Sequence, residues 1–173
     1  EHVWTRLRNE QLIIDAIQNK LREIHPDERA SFAQNSANYK TRLADLDQKF
    51  QSIVDNSSRR TLVFGDRFPL RYFVDDYNLE YFAAFPGCSE QNEASSKTIS
   101  YLVNKIKTEE IPVVLKIELT SDDIAQTIAN ETGTKVLVFS AAHNISAEDF
   151  ENGRTYADIM EANLAVLEEA LNE

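Results

Sequence analysis

Four short apolar runs, each followed by a segment with helical spacing, constrain the possible folds of this chain more than any other feature. The runs are Thr61-Leu62-Val63-Phe64, Tyr81-Phe82-Ala83-Ala84-Phe85, Val113-Val114-Leu115-Lys116-Ile117 and Lys135-Val136-Leu137-Val138-Phe139, and each reads as a strand. Between them, Pro69 to Tyr77 reads as a short helix, and Ile99, Leu102, Val103 and Ile106 mark a helix opening near Ser95. Thr120 followed by Asp123 resembles a capping box before Ile124, Ala125 and Ile128, and Gly133 closes that helix. A last helix carries Tyr156, Ile159, Met160, Leu164, Leu167 and Leu171. Strands that alternate with helices predict an α/β fold, a four-stranded parallel sheet flanked by helices.

The first third of the chain has a different rhythm. Leu12, Ile13, Ala16, Ile17, Leu21 and Ile24 recur at helical spacing until His25-Pro26 interrupts them. Phe32, Tyr39, Leu43, Leu46, Phe50 and Ile53 then mark one long helix from about Glu28 to Asn56, with a narrow apolar seam. A coiled coil is a possible reading of that seam, but the stretch is short and stops at Ser57-Ser58-Arg59-Arg60, so a backbone helix packed along a domain is preferred. The expected division is connecting helices over 1–57 and an α/β lobe over 58–173.

Right-handed crossovers place the C-terminal ends of parallel strands along one edge, where open α/β sheets bind their ligands. At that edge lie Asp66, Glu118 and His143. Two carboxylates and an imidazole in one cleft suit a divalent transition ion such as zinc or manganese. Each residue also has a plain alternative. Asp66 could cap the helix near Pro69, Glu118 could be solvated or paired with Arg67 or Arg71, and His143 could be an exposed loop residue. Asp75 and Asp76 are expected at the surface, and Tyr72, Phe73, Tyr77, Tyr81, Phe82 and Phe85 in packing.

Composition removes several classes of function. A net charge of -11 argues against nucleic acid or an anionic membrane surface as partner. Only four glycines are present, none spaced as a phosphate-binding loop. Cys88 is the single cysteine, which excludes an internal disulfide and a Cys-rich zinc site. It could meet His143 as a nucleophilic pair, but a lone cysteine is more often a small buried hydrophobe. The longest apolar runs, such as Ile111 to Leu115, fall far short of a bilayer span.

The opening Glu1-His2-Val3-Trp4-Thr5 before a helix resembles the metal-binding receptors of zinc and manganese ABC importers. The resemblance runs on through Val63-Phe64-Gly65-Asp66-Arg67-Phe68-Pro69 and Tyr72-Phe73-Val74-Asp75-Asp76-Tyr77. It takes in Phe85-Pro86-Gly87-Cys88-Ser89, Ile117-Glu118, Glu131-Thr132-Gly133-Thr134-Lys135-Val136-Leu137 and the final helix. It implies one lobe of a two-lobed receptor, with 28–56 as the bridging helix and an N-terminal lobe that precedes this chain. The implied metal ligands are His2, Asp66, His143 and, as ligand or orienting group, Glu118. Arg67 and Ser140 stand where the family often has metal-binding side chains, with Asp66 and His143 as the implied substitutes. The implied cargo is Zn2+, with Mn2+ as the second possibility, captured outside the cytoplasm by a periplasmic or lipid-anchored protein and handed to an ABC permease. No bond is made or broken, so no enzyme is implied. A metal-free protein-interaction or adhesive module on the same scaffold is the alternative.

Overall fold

The computed structural model describes residues 2–85, 87 and 94–172, and Cys88 lies outside them. A single 3-10 turn, Val3–Thr5, leads into α1 (Leu7–Ile24), and a second, Pro26–Glu28, turns the chain into α2 (Arg29–Asn56). The α/β part follows as β1 (Thr61–Phe64), α3 (Arg71–Asp76), β2 (Glu80–Ala83), α4 (Ser96–Glu109), β3 (Val113–Lys116), α5 (Asp123–Thr132), β4 (Lys135–Val138), α6 (Ala147–Glu151) and α7 (Tyr156–Asn172). The strands pair in the order β2-β1-β3-β4, all parallel. The chain therefore reverses direction across the sheet between β1 and β3, which puts the topological switch point at their C-terminal ends.

Strand alternation divides the apolar side chains between two cores. Leu62 and Phe64 of β1 and Val113 and Leu115 of β3 face a layer built by α2, α3 and α7, which includes Phe50, Phe73 and Leu167. Val63 and Val114 face the opposite layer, with Leu102 and Ile106 of α4 and Ile128 of α5. Leu7, Leu43, Leu46 and Val54 belong to the first layer, so the N-terminal helices share a core with the sheet. Within α2 the buried residues are Leu43, Leu46, Phe50 and Val54, all in its C-terminal half.

Three local expectations shift. The first is the capping box at Thr120, which does not form. Asp122 occupies the N-cap position without a side-chain bond, and the Thr120 hydroxyl is turned to Asp66 instead. A buried carboxylate is the stronger acceptor for that hydroxyl. The second is α6, absent from the apolar pattern; it is opened by the Ser146 Oγ, which accepts from Asp149 N at 3.0 Å. The third is Asp76. Its side chain is 2% exposed rather than on the surface, because arginines from the other end of the domain come to meet it.

Gly65, directly after β1, lies against the backbone of α5. A Cβ there would stand 2.5 Å from the Ala125 Cα of α5, so the strand end reaches its crossover helix only because no side chain intervenes. Gly65→Ala is expected to destabilise the fold by about 1–3 kcal/mol, the usual cost of overpacking against backbone. Urea denaturation would measure this, and an unchanged midpoint would refute the close approach.

Candidate metal centre

Glu118 leaves the sheet just past β3, and its carboxylate organises the loop that follows β4. Oε2 accepts from Ala141 N at 2.8 Å, while Oε1 accepts from His143 N at 2.7 Å and Asn144 N at 3.0 Å. Successive backbone N–H groups can converge on one anion only if the chain curls, and Ala142 takes a left-handed φ of 50° to allow it. The base of the same loop is gripped by Asn163 on α7. Its Oδ1 accepts from Ser140 N at 2.9 Å and its Nδ2 donates to Ser140 O at 2.8 Å. His143 is thereby held out from the edge by a fixed backbone, with its ring exposed.

The second imidazole comes from the other end of the chain. His2 sits before the 3-10 turn, which is braced by the buried Thr5, whose hydroxyl donates to His2 O at 2.9 Å. Trp4 fastens this turn to the His143 loop, since its Nε1 donates to Ala141 O at 3.0 Å. The Tyr156 hydroxyl at the start of α7 donates to Trp4 O at 2.6 Å. Burial, with help from the Glu10 charge, raises the Tyr156 phenol well above its ordinary range, so it remains a neutral donor. As a result the His2 and His143 rings meet edge to face with centroids 4.9 Å apart. Trp4 lies 5.0 Å from His2 and stacks at 6.2 Å on His143.

Asp66 is only 5% exposed, and both of its oxygens are engaged. Oδ1 accepts from Arg67 N at 2.7 Å, and Oδ2 from Ile117 N at 3.1 Å and from the Thr120 hydroxyl. It ties the end of β1 to the end of β3. The structure thus brings His2 and His143 together and employs Asp66 and Glu118 as acceptors of backbone N–H groups. Among the described residues no group of three or more His, Cys, Asp or Glu side chains converges as a ready metal cage. Two imidazole nitrogens are half of the four donors that zinc ordinarily takes.

Sequence pattern alone does not assign Trp4, Asn163 or Tyr156 to this edge. Asn163 carried one legible signal, a polar residue three positions after Met160 on the apolar face of the last helix, where it is 2% exposed. A buried amide needs partners, and here the partners are the β4 loop backbone.

The sequence matches the family described as ZnuA, zinc-uptake complex component A periplasmic, over residues 1–170. It is 26% identical over 172 residues to the zinc-binding lipoprotein AdcA of Streptococcus pneumoniae, covering 99% of this chain and 34% of that protein. It is 26% identical over 170 residues to the high-affinity zinc uptake system protein ZnuA of Bacillus subtilis, covering 98% of this chain and 53% of that protein. The chain therefore spans between about a third and a half of the length of these relatives. The solved Zn(II)-bound ZnuA-like domain of Streptococcus pneumoniae AdcA superposes with a TM-score of 0.80 at 25% identity, over 99% of this chain and 64% of that one.

If Glu118 shapes the loop, Glu118→Ala will leave the Ala141, His143 and Asn144 amides without their acceptor. Loss of bonds to a charged acceptor costs about 1.5–3 kcal/mol. Hydrogen exchange at these amides is expected to accelerate selectively, with the β3 amides unaffected. Equal protection in the variant would show that the loop holds its shape without the carboxylate.

Proposed function

Since the chain belongs to the ZnuA family of zinc-uptake components, we propose that it is the C-terminal lobe, with its connecting helices, of a receptor that captures a divalent transition metal and surrenders it to an ABC permease. In this reading residues 1–57 connect two lobes and 58–173 form the C-terminal one. The receptor works outside the cytoplasm, periplasmic or anchored by lipid at the outer face of the membrane. Metal is cargo here, so the protein is a carrier and not an enzyme. No helix among the described residues is long and apolar enough to cross a membrane.

The observation that carries this reading is the meeting of His2 and His143, 141 positions apart in sequence, with ring centroids at 4.9 Å. Two imidazoles at one exposed edge favour Zn2+ over the harder Mn2+, which prefers oxygen donors. His2 and His143 would bind the ion directly. Glu118 and Asp66 would hold the loops beneath them, as outer carboxylates do in metal sites. Either could turn to the ion only by releasing the backbone N–H groups it now accepts. The coordination sphere would be completed from the lobe that precedes this chain.

Two surface features support such a lobe. The N-terminal half of α2 has no buried side chain, and Leu12, Ile17 and Ile24 of α1 are 68%, 54% and 58% exposed. The hairpin thus leaves these apolar side chains open for a neighbour to cover. The family match also supports a metal receptor over a metal-free interaction module.

Calorimetric titration of the chelator-stripped chain with zinc and then manganese tests the proposal. Saturable zinc binding is expected, weakened strongly by His2→Ala and by His143→Ala and left intact by His25→Ala, since His25 sits at the α1–α2 turn against Phe32. Equal losses in the His143 and His25 variants would remove the site assignment. Absence of heat with either ion would show that this lobe does not hold metal unaided.

A further inference from the structure

We propose that the ion pair between the half-buried Arg6 and the buried Asp76 side chain is the positioning element that sets the His2 imidazole against His143, acting through the backbone of the 3-10 turn. The inference rests on the reading of His2 as a metal ligand. Asp76 ends α3, and its Oδ1 lies 2.6 Å from Arg6 Nη2 and 3.7 Å from Arg8 Nη1. Arg8 reaches on to Asp47 of α2 at 3.4 Å, and the same carboxylate accepts from the Tyr77 hydroxyl at 2.6 Å. Two atoms of the central pair, Asp76 Oδ2 and Arg6 Nε, are buried with no hydrogen-bond partner among the described residues.

That incompleteness bears on purpose. An ion pair that leaves buried polar atoms unsatisfied adds little net stability, and well-packed apolar residues of similar volume often do as well or better. What a short, directional ion pair supplies is a defined position. Arg6 is the N-cap of α1, and its N–H closes on Val3 O at 3.4 Å, while Thr5 N closes on His2 O at 3.2 Å. Asn9 Nδ2 also donates to Val3 O at 3.0 Å. Displacement of Arg6 is therefore transmitted to His2 through a stiff turn of a few residues. The turn is suspended between two anchors: the Trp4 indole on Ala141 O at the β4 loop, and the Arg6 guanidinium on Asp76 at the end of α3. Neither Arg6 nor Asp76 needs to touch the metal. Phe73 and Val74, both at 0% exposure, hold α3 rigidly in the first core layer, so Asp76 is a fixed point.

The experiment exchanges the pair for apolar residues, Arg6→Met with Asp76→Leu, in the same chain. Trp4 is the only tryptophan, and it contacts both imidazoles, so its emission reports the geometry without any metal. The expected result is a thermal midpoint kept near that of the parent, a shifted Trp4 emission in the metal-free chain, and zinc affinity reduced about tenfold, the lower range for loss of an outer-sphere partner. Asp76→Asn, which preserves shape and removes charge, carries the same two readouts if the double variant loses stability. Unchanged Trp4 emission in both variants overturns the proposal, whatever happens to zinc. A shifted emission in a chain that binds no zinc even as the parent would uphold the clamp and show that this lobe does not hold metal unaided.

Discussion

Two carboxylates at the ends of the central strands accept backbone N–H groups, and the shape of the whole ligand edge follows from them. Asp66 joins the end of β1 to Ile117 and Thr120 beyond β3, and Glu118 joins the end of β3 to Ala141, His143 and Asn144 beyond β4. Parallel strands leave their last N–H and C=O groups pointing into loops with no ladder to continue. An anionic acceptor placed two residues past β1 and two past β3 answers that need for the central strands. It also links neighbouring loops in the order in which the strands pair, β1 to β3 and β3 to β4.

The imidazoles depend on this frame in different ways. His143 is held by its own backbone, on a loop gripped by Glu118 above and Asn163 below. His2 has no strand behind it and reaches the edge on a single turn of 3-10 helix. Its place is defined by groups a few residues further along, Trp4, Thr5 and Arg6, each bonded to a different partner. In the proposed receptor, one ligand would stand on a fixed loop and the other on a short turn suspended between two anchors.

The long hairpin of α1 and α2 shows how one sequence can serve two surroundings. The C-terminal half of α2 contributes Leu43, Leu46, Phe50 and Val54 to the sheet core, with spacings of three and four that keep one face inward. The N-terminal half continues the register with Phe32 and Tyr39, of which Tyr39 still packs against the sheet core. The buried residues of α2 thus all lie in its C-terminal half, and its N-terminal half runs on with no side chain fully buried.

Most of the fold was legible because it is local. The four strands, the break at His25-Pro26, the extent of α2 and the Gly133 stop each depend on residues within a few positions of one another, and the structure places them within one or two residues of expectation. The candidate edge was legible too, since parallel crossovers send Asp66, Glu118 and His143 to the same side of the sheet. The sequence could not show which of these side chains would face outward. Whether Glu118 points at solvent or at three backbone N–H groups depends on the left-handed turn at Ala142, 24 residues away. Whether Asp76 is a surface acid or a buried anchor depends on arginines that arrive from the start of the chain. Periodicity records how each residue relates to its neighbours in sequence; the partners of a buried charge are chosen by strand order and helix packing, and those exist only once the chain has folded.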